Sequence, residues 1–381
     1  MKSRNKKLVL AVAVMSVLAL MVLLTSAGQG ERAATAPIRI GVAGPHSGDL
    51  ATFGLPTVNA SRMVADRINE AGGINGRRIE LIVEDELCQP EVAANTAAKL
   101  IGDGVTAIIG HICSGATFAV LETYLDSNLV SISPSATNPA LTQSGDFPNF
   151  FRTIASDDAQ ARLQVDFVLD TMDARRIVIL HDRGDYGRGL AEFARGFVEA
   201  DGRGQVVLFD GITPGAVDYS AIIARVEAAR PDVVMYGGYH PEASRLIGQM
   251  RGRGMTVPFI SGDGVQDDAF IQTAGAAAEG VFATGPMDTA DNPMAQDATS
   301  RHRERFGEDP GPFFMNGYAA AVALFAAIEA GGTDYDGIRN ALRNNTVETP
   351  LGPIRFDERG DAMGVGFAVY QVQNGRYVEL R

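Results

Sequence analysis

The amino-acid sequence predicts an α/β protein with two lobes. Short β-branched runs, of which residues 38–43 are the first, alternate with stretches of helical periodicity. This alternation is typical of βαβ units, in which the sheets are mainly parallel. The pattern forms two successive series that are separated near residues 152–155, and a chain of 381 residues is long enough for two domains.

Strands and helices alternate throughout both series. The first series has predicted strands at 38–43, 79–83, 105–110 and 129–133 and predicted helices around 63–68 and at 90–101 and 117–125. The earliest of these helices stops at Gly72 and Gly73, since glycine favours the end of a helix. The second series has predicted helices at 159–172, 189–200, 219–229 and 242–251 and predicted strands at 176–181, 205–210, 232–237 and 257–261.

The first thirty residues differ in composition from the rest of the chain. Basic residues come first, an apolar run covers residues 8–24, and small residues follow it. This order is typical of a secretory signal peptide, and we expect cleavage between Ala27 and Ala36. An uncleaved membrane anchor is the alternative, because the apolar run is almost long enough to span a bilayer. We expect no other membrane-length apolar segment, and therefore an exported protein.

Charge and motif content exclude several function classes. The 33 Lys and Arg residues against 46 Asp and Glu residues give a net charge of −13, which argues against a nucleic-acid-binding protein. The sequence has no Cys-x-x-Cys or His-x-x-x-His pair, so we predict no metal site. It also lacks the glycine-rich phosphate-binding motifs, and we predict no cofactor.

Polar residues follow consecutive strands in both series. Ser114 and Thr137 follow two strands of the first series, and Tyr239 and Asp263 follow two strands of the second. Ligands of open α/β sheets bind beyond the carboxyl ends of the strands. Hydroxyl groups and N–H groups at a helix start suit a carboxylate, and the Asp263 carboxylate suits an ammonium group. The sequence therefore predicts that a zwitterion is held between the lobes.

Each of these residues also has an interpretation as a structural residue that binds no ligand. Ser114 is a candidate N-cap, Asp263 lies in a Gly-Asp-Gly turn, and Tyr239 and Phe313 are candidate core aromatics. A Ser–His hydrolase is a further possibility, with His111 or His240 as the base. The sequence around Ser114 is not Gly-x-Ser-x-Gly, however, so we predict no catalytic residue.

Several segments together carry a resemblance to a known family. They are residues 75–77, 110–114, 133–137, 181–182 with 186–187, 209–212 and 236–242. In this order they resemble the periplasmic branched-chain amino-acid-binding proteins, the solute-binding components of ABC importers, and the resemblance runs from residue 38 to residue 380.

The resemblance implies a type I periplasmic-binding-protein fold, in which two Rossmann-like lobes are joined by a three-segment hinge and close on a ligand. Lobe one would comprise residues 37–155 and 286–354. Lobe two would comprise residues 156–285 and 355–381.

The same resemblance implies which residues bind the amino and carboxyl groups of an amino acid. Ser114 and Thr137 would hold the carboxylate, and the backbone oxygen of Ser135 would accept a hydrogen bond from the ammonium group. Tyr239 and Asp263 would close on the ammonium group from lobe two.

The other implied site residues surround the ligand. Phe53 and Phe313 would form walls of the side-chain pocket, Ile112 and Ala136 would lie beside the carboxylate-binding residues, and Tyr186 would stand at the entrance of lobe two.

Three positions depart from the family pattern. Asp263 stands where a Glu is usual, so its carboxylate reaches about one methylene less far. Phe53 stands where a Tyr is often found, and Ser135 replaces a common Ala, which adds a hydroxyl near the ammonium group.

The two cysteines, Cys88 and Cys113, are expected to form a disulfide. An exported protein meets an oxidising compartment, and the family often has this pair joined. Two free buried thiols are the alternative.

We therefore expect a periplasmic, monomeric protein that captures leucine, isoleucine or valine and delivers it to the membrane permease of an ABC importer. We expect no nucleic-acid partner. A periplasmic receptor that senses an amino acid or a small amide without transport is the alternative function.

Overall fold

The computed structural model describes residues 36–380. The predicted signal peptide of residues 1–30 lies outside them. In the described part of the chain, 15 strands form three sheets.

Lobe one is built on a five-stranded parallel sheet with the order β2-β1-β3-β4-β5. Its strands are β1 (Ile38–Gly44), β2 (Ile79–Asp85), β3 (Ala107–Ile109), β4 (Val130–Ser133) and β5 (Phe150–Arg152). The helices between the strands are α1 (Ala51–Glu70), α2 (Pro90–Gly102), α3 (Ser114–Asp126) and α4 (Ala140–Gln143). Strand β1 is almost entirely buried, as expected for a parallel sheet that is covered on both faces.

Lobe two is built on a seven-stranded sheet with the order β15-β14-β10-β9-β8-β6-β7. Its parallel strands are β6 (Arg176–His181), β7 (Gln205–Gly211), β8 (Val233–Gly237), β9 (Phe259–Ser261) and β10 (Phe282–Pro286). Strands β14 (Phe367–Gln373) and β15 (Arg376–Glu379) add an antiparallel edge. The helices are α5 (Asp157–Asp166), α6 (Asp185–Asp201), α7 (Ser220–Ala229), α8 (His240–Gly252) and α9 (Asp268–Ala274).

The chain crosses between the lobes three times. After β10 it returns to lobe one and forms α10 (Pro293–Phe306), α11 (Phe314–Gly331), α12 (Tyr335–Asn344) and a small sheet of β11 (Val347–Thr349), β12 (Gly352–Phe356) and β13 (Ala362–Met363). Phe356 and Ala362 are buried in the same core as β1 and α11. The expected assignment of residues 355–363 to lobe two is therefore wrong, because their apolar side chains pack into lobe one.

Helix α11 is long and apolar enough to cross a membrane, although the sequence led us to expect no such segment beyond the N-terminal region. Two thirds of it (67 %) is buried inside the protein. Leu324 and Phe325 are among its fully buried side chains and pack against the sheet of lobe one. Helix α11 is therefore a core helix of this lobe.

Two differences from the predicted elements have simple causes. Strand β5 was not predicted, because its three residues follow Pro148 and Asn149 and are not part of a longer apolar run, unlike those of the equally short β3 and β9. The predicted helix at 159–172 is divided into α5 and a π-helical turn (Phe167–Thr171), which a hydrophobic pattern does not distinguish from a continuous helix.

Arg152, at the end of β5, is a fully buried cation that holds the loop after β4 in place. Its guanidinium pairs with the Asp361 carboxylate and donates to the backbone oxygens of Ala136 (3.3 Å) and Asn138 (3.0 Å) and to the Thr142 hydroxyl (2.8 Å). A buried charge needs such partners because it has lost its hydration. The loop that follows β4 is thereby fixed to the turn between β12 and β13.

Replacing Arg152 should destabilise the protein strongly. We expect Arg152→Met to lower the free energy of unfolding by about 3–5 kcal/mol, because it leaves a carboxylate and two carbonyls without their donor. Urea unfolding followed by circular dichroism measures this loss. The control is Arg301→Met, which removes an exposed ion pair with Asp297 and should cost less than about 1 kcal/mol. Equal losses in the two variants would contradict the role of the buried cation.

Candidate functional site

A nearly filled cavity of about 10 Å³, with room for about one water molecule, lies between the two lobes, where the strands of both sheets end. Beside it the lobes are in contact, since the Asn138 side-chain amide of lobe one donates to the Asp185 backbone oxygen of lobe two (2.7 Å). The lining residues are Phe53, Ile112, Cys113, Ser114, Ser135, Tyr186, Tyr239, Asp263, Gly264 and Phe313. Eight of the ten residues predicted from the sequence line this cavity, and the other two, Ala136 and Thr137, are fully buried outside its lining.

Ser114 is the first residue of α3, directly after the N-cap position. Its hydroxyl oxygen accepts a hydrogen bond from the backbone N–H of Asn138 (3.2 Å), and the structure shows no side-chain cap at this helix start. The interpretation of Ser114 as a simple N-cap is therefore wrong. The first N–H groups of a helix have no partner within it, so the start of α3 offers donors to an anion.

The loop after β4 is held by hydroxyl groups. Ser133 donates to the His111 backbone oxygen (2.5 Å) and accepts from the backbone N–H of Ala136 (2.9 Å). The Ser135 hydroxyl donates to the Ile112 backbone oxygen (2.8 Å). The hydroxyl that Ser135 adds relative to alanine is thus bound to the protein, whereas we expected it near the ammonium group.

Asp263 is almost completely buried on the lobe-two side of the cavity. Its Oδ1 atom accepts hydrogen bonds from the Tyr186 hydroxyl (2.6 Å) and the Gln160 side-chain amide (3.0 Å). Burial raises the pKa of Asp263 to about 6, although these two hydrogen bonds oppose the rise. The side chain is therefore more than a turn residue, because two side chains of other elements are aimed at it.

Gly264 follows Asp263 and allows a close approach of two loops. A Cβ atom at this position would lie 2.7 Å from the Gly238 backbone oxygen and 2.8 Å from the Tyr186 ring. Any side chain here would displace the loop that carries Asp263. The backbone N–H of Gly264 also donates to the Tyr186 hydroxyl (3.1 Å), which helps to orient that hydroxyl.

Aromatic rings from both lobes enclose one end of the cavity. The ring of Phe53, on α1, lies 5.3 Å from Phe313, 6.4 Å from Tyr239 and 5.4 Å from the His240 ring, measured between ring centres. The Tyr239 ring lies 5.1 Å from that of Tyr186. Tyr239 and Phe313 are therefore cavity walls as well as core aromatics, and this end of the cavity suits an apolar group.

Two polar residues at the site were not singled out from the sequence. Asp157 and Gln160 are fully buried on α5, which begins where the chain first crosses between the lobes. The charge of Asp263 adds to burial in raising the pKa of Asp157 well above its usual value. The sequence did contain a signal for Asp157, because it is an acidic residue that follows a strand and begins a helix. Ser114 has the same kind of position, beyond the carboxyl end of a parallel strand, where ligands of such sheets bind.

The disulfide between Cys88 and Cys113 is confirmed, with 5.5 Å between the two Cα atoms. Cys113 lies at the N-cap position of α3 and lines the cavity. The bond therefore joins the start of α3 to the loop before α2.

The hydrolase interpretation finds no support among residues 36–380. The His111 ring bonds the Tyr124 hydroxyl (2.9 Å) and lies 3.8 Å from Glu86, and the His240 ring lies 3.9 Å from Asp267. No described hydrogen bond joins either ring to Ser114. In the same part of the chain, no cluster of three or more His, Cys, Asp or Glu residues could hold a metal ion.

The chain matches the model of the periplasmic binding protein family over residues 37–376. It belongs to this family. The family is one of solute-binding proteins.

Relatives and solved structures agree with this assignment. The chain is 34 % identical to the leucine-, isoleucine-, valine-, threonine- and alanine-binding protein of Pseudomonas aeruginosa over 335 residues, which are 88 % of this chain and 89 % of that protein. Among solved structures, the leucine-binding protein LivK of Thermotoga maritima is 28 % identical with a TM-score of 0.83, covering 90 % of this chain and 98 % of LivK.

A second solved structure is the branched-chain amino-acid transporter substrate-binding protein LivJ of Streptococcus pneumoniae in complex with isoleucine. It is 26 % identical with a TM-score of 0.80 and covers 90 % of this chain and 100 % of LivJ. The expected type I periplasmic-binding-protein fold is thus confirmed.

Removal of the disulfide should destabilise lobe one. The bond closes a loop of 25 residues, and in the chain-entropy model such a loop contributes roughly 3 kcal/mol. The double variant Cys88→Ser with Cys113→Ser should lose about this much free energy of unfolding, measured by urea denaturation. The reduced wild-type protein is the matched control and should lose a similar amount. A double variant as stable as the oxidised protein would show that the bond is dispensable.

Proposed function

We propose that this protein captures a branched-chain amino acid, leucine, isoleucine or valine, between its lobes and delivers it to the permease of an ABC importer. The proposal rests on one observation: hydrogen-bond donors and a carboxylate lie on opposite sides of the same cavity. The start of α3, with Ser114, offers hydrogen-bond donors on lobe one, and the buried Asp263 carboxylate lies on lobe two. A zwitterion satisfies both, with its carboxylate at α3 and its ammonium group at Asp263.

The roles of the predicted site residues, including Thr137 behind the cavity lining, follow from their chemistry. Ser114, Thr137 and the N–H groups of α3 bind the carboxylate, and the Ser135 backbone oxygen and Tyr239 join Asp263 around the ammonium group. A buried ammonium group needs such partners because it has lost its hydration.

The other lining residues select the ligand side chain. Phe53, Ile112 and Phe313 are apolar and surround it, while Ala136 packs behind and Tyr186 orients Asp263. An apolar wall favours an aliphatic group over a polar one. The printed names of the relatives, which bind leucine, isoleucine and valine, support the same ligand class.

Transport, rather than sensing alone, is supported by the name of LivJ as a transporter's substrate-binding protein. The family name supports a periplasmic location. We also propose that the protein acts as a monomer, because residues of one chain line the whole cavity.

Asp263→Asn should weaken leucine binding by well over tenfold. The substitution keeps size and polarity but removes the charge that pairs with the ammonium group, and losing one partner of such a buried pair costs about 2–5 kcal/mol. Calorimetric titration of ligand-stripped protein with leucine, isoleucine and valine measures the change. Asp268→Asn removes a charge from the same lobe outside the cavity lining and should leave the affinity unchanged.

The 2-oxo acid that corresponds to leucine provides the second arm of this test, because it lacks the ammonium group. It should bind the wild-type protein poorly, and Asp263→Asn should not weaken it further. If the 2-oxo acid binds as tightly as leucine, the zwitterion model and the branched-chain assignment are both wrong.

A further inference from the structure

The two lobes meet at a contact that lies outside the cavity lining. The side-chain amide of Asn138, in the loop after β4 of lobe one, donates to the backbone oxygen of Asp185, the first residue of α6 in lobe two (2.7 Å). Neither residue is among those that line the cavity. Asp185 directly precedes Tyr186, whose hydroxyl donates to Asp263 (2.6 Å). The contact therefore joins lobe one to the helix that carries a partner of Asp263.

Asn138 is oriented by partners that all belong to lobe one. Its backbone N–H donates to the Ser114 hydroxyl (3.2 Å), and its backbone oxygen accepts from the Arg152 guanidinium (3.0 Å). Its side-chain oxygen accepts from the backbone N–H of Ala140 (3.0 Å). The amide nitrogen thus points at lobe two in an orientation that does not depend on lobe two.

Gly189, on α6, lies against the same amide. A Cβ atom at this position would lie 2.8 Å from the Nδ2 atom of Asn138 and 3.7 Å from its Cγ atom, and the first distance is shorter than real Cβ contacts. Apart from its chain neighbours and the backbone of its own helix, no other described atom would lie within 4 Å. Gly189 does not have the positive φ that would itself favour glycine. Glycine also destabilises a helix interior relative to alanine, so the approach of Asn138 is the feature that explains it.

Lobe one has a matching position without a side chain at Gly115, the second residue of α3. A Cβ atom there would lie 3.0 Å from the Oδ2 atom of Asp185. The Asp185 side chain is exposed, so its carboxylate can turn away from an added methyl group. The Asn138 amide has less freedom, because both its nitrogen and its oxygen are bonded. Gly189 is therefore the tighter of the two positions.

We propose that Gly189 and Asn138 are positioning residues that set the ligand affinity through closure of the lobes, without touching the ligand. The surface of α6 at Gly189 admits the Asn138 amide, and the amide then ties α6 to lobe one. This inference rests on the proposed function, in which the lobes close on an amino acid. The contact exists only while the lobes are together, so a side chain at position 189 disfavours the closed form alone. A change that acts on one of two states shifts the equilibrium between them, and the ligand affinity with it.

Gly189→Ala should change stability and affinity in opposite directions. The variant should raise the urea midpoint of the ligand-free protein, because alanine favours a helix more than glycine does. It should weaken leucine binding about three- to tenfold in calorimetric titration, which is the range expected for the loss of about one hydrogen bond. A residue with a merely structural role would not produce this opposition.

Gly196→Ala is the matched control on the same helix, since a Cβ atom at Gly196 would meet nothing within 4 Å. It should raise the urea midpoint to a similar extent and leave the leucine affinity unchanged. An unchanged affinity in Gly189→Ala overturns the inference and leaves the proposed function intact. Absence of binding of leucine, isoleucine and valine by the wild-type protein overturns both.

A double-mutant cycle identifies the partner of Gly189. Asn138→Ala removes the amide and should itself weaken leucine binding, and a wild-type affinity in this variant would also overturn the inference. In the Asn138→Ala background, Gly189→Ala should weaken binding by less than about twofold further, because the atoms that the methyl group meets are gone. Equal weakening by Gly189→Ala in both backgrounds would contradict the contact between the two residues.

Discussion

The burial of the Asp263 carboxylate constrains the rest of the site. A carboxylate between two closed lobes has lost most of its hydration, and Tyr186 and Gln160 compensate only one of its oxygens. Under the proposed function, closing the cleft without a cation is therefore unfavourable, and the ammonium group of the ligand makes closure favourable. A ligand can drive a conformational change only through such a difference in interaction between the two states.

The surrounding fold keeps the groups of lobe one in position while the lobes move. Parallel strands deliver the loops of both sheets to one edge, and the buried Arg152 and the disulfide fix the loop after β4 and the start of α3. Neither support reaches into lobe two. Under the proposed function, the side that binds the carboxylate is thus built in advance, whereas Asp263 and Tyr239 arrive with the other lobe, as in other hinge-closing binding proteins.

Up to residue 261, the sequence predicted every strand except β5 and every α-helix except α4, and it predicted eight of the ten cavity-lining positions, because strand alternation and strand-end loops leave local patterns. It predicted no individual strand or helix beyond that residue. Other features depend on contacts that no local pattern records. Strand β5 is not part of a longer apolar run, and residues 355–363 join lobe one through two apolar side chains. The Ser135 hydroxyl donates to a backbone oxygen. Gln160 was missed because Asp263, whose carboxylate it contacts, lies 103 positions away in the chain.

Small-angle X-ray scattering of ligand-stripped protein near pH 7, with and without leucine, tests the central claim most directly. If the buried Asp263 carboxylate opposes closure until an ammonium group pairs with it, the ligand-free protein is mainly open. Its radius of gyration then falls when leucine is added and stays constant with the 2-oxo acid. A ligand-free protein that is already as compact as the leucine complex, or equal compaction by the 2-oxo acid, would contradict the account.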